Sequence, residues 1–375
     1  PHPMHLADLS TPAALVDLDR FTTNCQSMAN RADELGVRLR PHVKTHKCVE
    51  AARIQTRGHF GGITVSTMAE ARGFAAAGFR DITYAVPVAP QKLDEIVELN
   101  ERVDRLSVLV DHVVTVRAIE EISAARGVTL PVWLKLDCGL HRAGVHPLSD
   151  DAVVLAGRLA SSPQIDFRGV LTHAGQSYRA TNRAEAAAAA RDECSVTRLF
   201  VERLNEEKIG VPAVSIGSTP TMTAAASLDG IDEIRPGNYA FFDVFQSAIG
   251  SCSPDDIAFS VLATVISVHP GEERAVIDAG ALALSKDPGP THVDPDCGYG
   301  RIVAVEDQHP LPGLRLSSIS QEHGVIDGPG TAALRPGTHL RILPNHSCLA
   351  AACFESYHVL RGTEIIDEWH PFRGW

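Results

Sequence analysis

Val37-Arg38-Leu39-Arg40-Pro41-His42-Val43-Lys44-Thr45-His46-Lys47 carries the pattern that decides the fold. A short strand-like run, 37–40, stops at a proline. A lysine flanked by two histidines follows where the strand ends. Seven further runs repeat the pattern at 62–65, 81–86, 106–110, 132–136, 167–171, 213–216 and 233–235. Longer stretches rich in Ala, Glu and Arg lie between them, among them 67–78, 92–102, 112–126 and 182–208. Thr67 and Glu70 have the spacing of a capping box, and Gly78 is placed to cap the same helix at its end. Strands alternating with helices predict a parallel sheet. Eight such units predict an α/β fold of the closed (β/α)8 TIM barrel type, whereas a doubly wound open sheet needs no eighth unit.

Beyond about residue 245 the texture changes. Strand-like runs at 257–268, 274–277, 301–305, 314–319, 339–343 and 357–360 are punctuated by Pro and Gly. They predict a smaller, mostly antiparallel β domain. The expected division is a barrel over 18–245 and a β domain over 246–375, with an N-terminal strand within 1–17 either joining the β domain or leading into the first helix.

A chain of 375 residues with 44% hydrophobic residues can bury a sizeable core. A formal charge of −12 argues against nucleic acid or an anionic membrane surface as partner. No apolar run approaches the length of a membrane span, and Pro1-His2-Pro3-Met4-His5 has no basic stretch leading into an apolar one, so no signal peptide is expected. The eight cysteines form no Cys-x-x-Cys pair. Reduced thiols and a cytoplasmic location are the expectation.

Barrel active sites gather at the C-terminal ends of strands. Those ends lead into Lys44, into Asp137-Cys138-Gly139-Leu140-His141-Arg142, into Thr172-His173-Ala174-Gly175-Gln176-Ser177-Tyr178, into Gly217-Ser218-Thr219-Pro220 and into Arg235-Pro236-Gly237-Asn238-Tyr239. The last two are the loops after strands seven and eight, where such barrels commonly hold phosphate. Each alone is an ordinary turn, and a lone strand-end lysine is ordinarily a solvated one. Together, a phosphate cradle opposite a lysine amine that can condense with an aldehyde predicts pyridoxal 5'-phosphate. In the β domain, Pro344-Asn345-His346-Ser347-Cys348 sets a histidine two residues before a cysteine. On an extended segment the two face one side, and imidazole with thiolate suits zinc. Gln321 and His323, in Gln321-Glu322-His323-Gly324, are candidate pocket residues, as is His173.

Taken together, these motifs resemble the fold-type III, alanine racemase-like pyridoxal-phosphate enzymes, and within them the D-serine dehydratase and D-threonine aldolase family. The resemblance runs in order from about Thr11 to Trp369-His370-Pro371-Phe372-Arg373-Gly374-Trp375, which is similar to the end of D-serine dehydratases. It implies that Lys44 holds the cofactor aldehyde and takes the substrate's α-proton. It implies that Tyr178, Thr219, Gly237 and Asn238 contact the cofactor, with Ser218 in the same phosphate loop, and that Arg142 lies near it. It implies that His346 and Cys348 bind a catalytic zinc, which acts on the substrate's β-hydroxyl. The aldolases more often carry His-x-Asp, and a carboxylate there suits Mn2+ or Mg2+; Cys348 therefore leans toward dehydration. The implied substrate is a D-3-hydroxy amino acid, D-serine or D-threo-3-hydroxyaspartate, giving a 2-oxo acid and ammonia. The alternative is an aldolase releasing glycine and an aldehyde. A third, remote reading is a non-catalytic pyridoxal-phosphate homeostasis protein, but those lack the β domain and the His-x-Cys element. A homodimer with the site near its interface is also implied. Two departures stand out: Leu171, where some D-serine dehydratases carry tyrosine, and Leu349-Ala350-Ala351-Ala352-Cys353, where the commoner version contains Ala-Thr.

Overall fold

The computed structural model describes residues 5–375; Pro1–Met4, on which the signal-peptide expectation rests, lie outside the described residues. By contacts the chain divides into two units. One is Met28–Gly237 with Phe372–Trp375. The other is Asn238–Pro371 with the described residues up to Ser27.

Strand β1, Ala13–Asp17, belongs to the second unit. The barrel strands follow as β2 (Arg38–Leu39), β3 (Ile63–Val65), β4 (Asp81–Pro87), β5 (Arg105–Val110), β6 (Leu130–Lys135), β7 (Ile165–Leu171), β8 (Val214–Ile216) and β9 (Glu233–Ile234). All pair parallel, in the order β2-β9-β8-β7-β6-β5-β4-β3. A parallel bridge from His42 to Thr64, with Thr64 N–H donating to Pro41 O at 2.9 Å, brings β3 back beside β2 and closes the ring. The eight-stranded barrel read from the sequence is therefore the fold.

Helices fill the connections. The helix Met68–Ala76 starts at the expected N-cap, Thr67 Oγ1 accepting from Glu70 N–H at 3.1 Å, but the reciprocal half of the expected capping box is displaced by one residue, the Glu70 carboxylate accepting from Ser66 N–H at 3.0 Å. The interior of the barrel is polar along one line. Arg40 Nε donates to Glu233 Oε2 at 2.7 Å, Ser215 Oγ to Glu233 Oε1 at 2.8 Å, and Arg235 Nη1 to Ser215 Oγ at 2.6 Å. Each buried charge in this line has a partner, which is the condition for keeping it there.

The second unit is built on β1 and eight strands: β10 (Phe259–His269), β11 (Arg274–Ile277), β12 (Arg301–Val303), β13 (Arg315–Ile319), β14 (Gly324–Asp327), β15 (His339–Leu343), β16 (Tyr357–Arg361) and β17 (Glu364–Trp369). The order is β13-β14-β11-β10-β1-β16-β17, with β15 joining β10 to β12. Only β1 with β16 is parallel, so the sheet is mostly antiparallel. A register shift at Val265/Ser267 lets β10 pair with β1 and β15 along its first half and with β11 along its second. Phe21, Phe241, Phe259, Tyr357 and Trp369 interlock here with ring centroids 5.1–6.1 Å apart, and all five are essentially inaccessible to solvent. Among the described residues no helix is long and apolar enough to cross a membrane.

Candidate active site

In the barrel unit, β2 leads into a single 3-10 turn, Val43–Thr45, with Lys44 at its centre. His42 caps the turn, its Nδ1 accepting from Lys44 N–H at 3.4 Å. The two histidines flanking Lys44 face different ways. His46 is wholly buried, with Nε2 2.7 Å from Gln55 Oε1 and Nδ1 accepting from Cys48 N–H at 3.0 Å. His42 instead lines a cavity of about 340 Å3 with Lys44.

That cavity takes its walls from several strand ends: Lys135 from β6, Arg142 from the loop after it, His173 after β7, Gly217 after β8 and Arg235 after β9. Four lining side chains are cationic and none is a carboxylate. The histidines answer this field. Burial first, then Lys44 and other cationic neighbours, holds both His42 and His173 well below the usual imidazole range, so both are neutral at pH 7. Neutral His173, 3.2 Å from Gly217 O through Nδ1, must donate there, which leaves Nε2 as an acceptor. Lys135 is 6% exposed, and burial followed by repulsion from Arg235 pushes its amine down to about 8. Its hydrogen bond to Leu136 O is long, at 3.4 Å.

Of the other residues singled out in the barrel, Arg142 lines this cavity, whereas Tyr178, Ser218, Thr219 and Gly237 are not among its lining residues. Arg142 is exposed. Ser218 and Thr219 are buried at the start of the short helix Thr219–Ala224. Ser218 Oγ lies 3.0 Å from Ser177 Oγ, which couples this loop to the turn Gly175–Arg179 that carries half-buried Tyr178. Glu193 fixes Gly217 from outside, accepting its N–H at 3.2 Å and the Thr172 hydroxyl at 2.7 Å. Gly237 packs against His42 so closely that a Cβ there would fall 2.7 Å from His42 O. Leu171, the departure noted above, lines the cavity wall.

The β unit holds the second constellation. The expectation of an extended His346-Ser347-Cys348 is corrected: His346 is the N-cap residue of the helix Ser347–Ala351, and Cys348 sits in its first turn. The alanine run that follows favours helix, and Asp243 Oδ2 accepts from Ser347 N–H at 3.0 Å, satisfying a first-turn donor. The helix still brings the two side chains together, because Cys348 hydrogen-bonds the His346 ring. Behind them, His346 Nδ1 is 3.1 Å from Asp287 Oδ2. Burial opposes charge on this imidazole, but Asp287 and Cys348 outweigh it and push His346 up to about 11. Asn345 Nδ2 ties the neighbouring loops in place through Gly298 O at 2.8 Å and Asp287 O at 3.2 Å. Asn238 belongs to this unit, its Nδ2 donating to Asp243 Oδ2 at 2.8 Å and Ser347 Oγ at 3.1 Å and lying 3.6 Å from Cys348 Sγ. Among the described residues no three His, Cys, Asp or Glu side chains gather as a metal-holding set, so His346 and Cys348 remain a pair. Gln321 and His323 lie on the exposed hairpin turn between β13 and β14, where Ser320 N–H donates to His323 O at 2.8 Å.

The sequence reading missed His42, Lys135 and Arg235 as cavity residues, although the strand-end rule already pointed at the last two. It also missed Asp287, whose loop carries no local signal.

Comparison with known proteins shows the family and the fold. Residues 16–244 match the alanine racemase N-terminal domain and residues 258–360 a serine dehydratase domain. The chain is 40% identical to the D-threo-3-hydroxyaspartate dehydratase of Delftia sp. (strain HT23) over 99% of both chains, and the solved structure of that enzyme superposes with a TM-score of 0.93 over 99% of this chain and 100% of that one. It is 35% identical to the D-serine dehydratase of Dictyostelium discoideum over 98% of each. A D-threonine aldolase from Filomicrobium marinum, 29% identical, superposes at 0.86 over 99% of this chain and 97% of that one. The chain thus belongs to the fold-type III family that joins an alanine racemase N-terminal domain to a serine dehydratase domain.

Proposed function

We propose that this protein is a pyridoxal-phosphate-dependent lyase of D-3-hydroxy amino acids that eliminates the β-hydroxyl as water, the imine so formed then taking up water to give a 2-oxo acid and ammonia. The observation that carries the reading is Lys44 lining a cavity with four cationic side chains and no carboxylate. A volume of about 340 Å3 is within the range of small-ligand pockets. The charge of its lining fits a phosphorylated cofactor with an amino acid carboxylate beside it.

In this reading Lys44 Nζ would hold the cofactor aldehyde, and the same amine is the base that would accept the proton from the substrate's Cα. The bound cofactor supplies an electron sink for the charge left at Cα. Arg142, Lys135 and Arg235 offset the negative charge of cofactor and substrate. His42 and His173, kept neutral by burial and the surrounding cations, add hydrogen bonding without adding charge.

His346 and Cys348 would hold a divalent metal. Imidazole beside thiol, with Asp287 fixing the ring from behind, is the donor chemistry of a zinc site with open positions. Such a metal supplies Lewis acidity at the β-hydroxyl. The thiol at 348 favours zinc and dehydration over the aldolase reading. The same reading takes the chain as a homodimer in a reducing cytoplasm, on the family resemblance and on eight cysteines of which none forms a disulfide.

The experiment is a product assay on D-serine, D-threonine and D-threo-3-hydroxyaspartate with the cofactor- and zinc-loaded protein. Expected products are 2-oxo acid and ammonia in equal amounts, with turnover lost to a chelator. Glycine and an aldehyde as the products would replace this reading with the aldolase one.

A further inference from the structure

The segment Phe372–Trp375 packs with the barrel unit, although the residues up to Pro371 belong with the β unit. One of its attachments is to Lys47, whose own N–H bonds back to Val43 of the turn that carries Lys44. Phe372 N–H donates to Lys47 O at 2.9 Å. The Phe372 ring meets Phe74 edge-on at 5.0 Å, and Phe74 meets Phe79 in the same way at 5.4 Å. The seat exists because residue 73 is glycine: a Cβ on Gly73 would lie 2.6 Å from the Phe372 ring.

Lys47 is held at three points. Its N–H donates to Val43 O at 2.8 Å, spanning Lys44. Its carbonyl takes the Phe372 bond. Its ammonium lies 3.0 Å from Glu70 Oε1, and the Glu70 side chain is 1% exposed. Glu70 also accepts from Ser66 N–H at 3.0 Å and Ser66 Oγ at 3.1 Å, and Ser66 lines the Lys44 cavity. Lys47 itself has φ +57°, a conformation that a lysine does not hold without outside support.

We infer that Phe372 is a positioning residue for the Lys44 turn: seated on Gly73 and Phe74, it fixes Lys47 and so the backbone that aims Lys44 into the cavity. The inference rests on the reading of Lys44 as the cofactor's anchor. It concerns a residue that is not among those lining the Lys44 cavity.

Two variants remove the ring from opposite sides. Phe372→Ala deletes it, and Gly73→Ala evicts it while otherwise favouring its own helix. Phe372→Leu is the conservative control. In the cofactor-free protein, amide hydrogen exchange over residues 42–48 should quicken by about tenfold in both alanine variants and stay near wild type in Phe372→Leu, while exchange over 259–269 in the β unit is unchanged. In the cofactor-loaded protein, the pH midpoint of the visible absorbance should move in the same two variants. Unchanged exchange over 42–48 in the two alanine variants would overturn the inference. An equal rise over 259–269 would overturn it too, because that is the mark of general destabilisation. Should Phe372→Ala fail to fold, Gly73→Ala and Phe372→Leu decide. Failure of the Lys44 reading is separate: the wild-type protein would then show no lysine-dependent absorbance with pyridoxal phosphate, whatever the exchange shows.

Discussion

His346 Nδ1 lies 3.1 Å from Asp287 Oδ2, a carboxylate 59 positions earlier in the chain. This contact fixes which ring nitrogen faces away from the carboxylate and so which one can meet a metal. Asn345 holds the Asp287 backbone through its carbonyl at 3.2 Å, so the carboxylate arrives already oriented.

Asp287→Asn should therefore weaken metal binding by about 10- to 100-fold, the usual effect of losing a carboxylate behind a ligating histidine. The fold and cofactor uptake should be unaffected. Competition with a chromogenic chelator measures the affinity directly. His346→Ala should abolish the site, so the two variants rank the ligand above its support.

Lys135 gives a prediction about pH. Its amine titrates near 8 in the folded chain, against 10.5 as the ordinary value. Below pH 8 both folded and unfolded chains hold the proton, and burying it destabilises the fold by roughly 3 kcal/mol. Between 8 and 10.5 the unfolded chain holds the proton and the folded chain does not, so stability rises with pH. Lys135→Met should be more stable than wild type at pH 7 and should lose that advantage as pH approaches 10.5. Urea unfolding of the cofactor-free protein at pH 7, 8.5 and 10 reads this, and a gap that stayed constant would contradict it.

Gly237→Ala tests the close approach behind the Lys44 turn. The added methyl would meet His42 O at 2.7 Å and His42 Cβ at 2.9 Å. Backbone cannot step aside cheaply in a packed barrel, so a cost of about 1–3 kcal/mol in unfolding free energy is expected. Weaker pyridoxal-phosphate binding should accompany it, measured by equilibrium dialysis.

The barrel was legible because short strands alternate with helical stretches along its whole length, and one of those helices, Met68–Ala76, carries a readable N-cap at Thr67. Its site was legible as far as the strand-end rule was applied. Lys44 was singled out by it and Arg142 by the family resemblance, while Lys135 and Arg235, also at strand ends, were not singled out. The β unit was harder to read. Strands Gly324–Asp327 and Glu364–Trp369 were missed, the first because the polar turn before it read as a pocket loop, the second because its exposed face breaks the apolar run. Cys348 was placed on an extended segment because a three-residue motif says nothing of the alanines that follow it. Asp287 was invisible because only the folded loops bring it to His346.

In the proposed reading Lys44, and not Lys135 in the same cavity, carries the cofactor. Borohydride reduction of the pyridoxal-phosphate-loaded protein fixes the cofactor covalently on its lysine, and peptide mass mapping then locates it. The predicted result is a phosphopyridoxyl group on the peptide containing Lys44 and none on the peptide containing Lys135. Label on Lys135, or none on either peptide, would contradict the account.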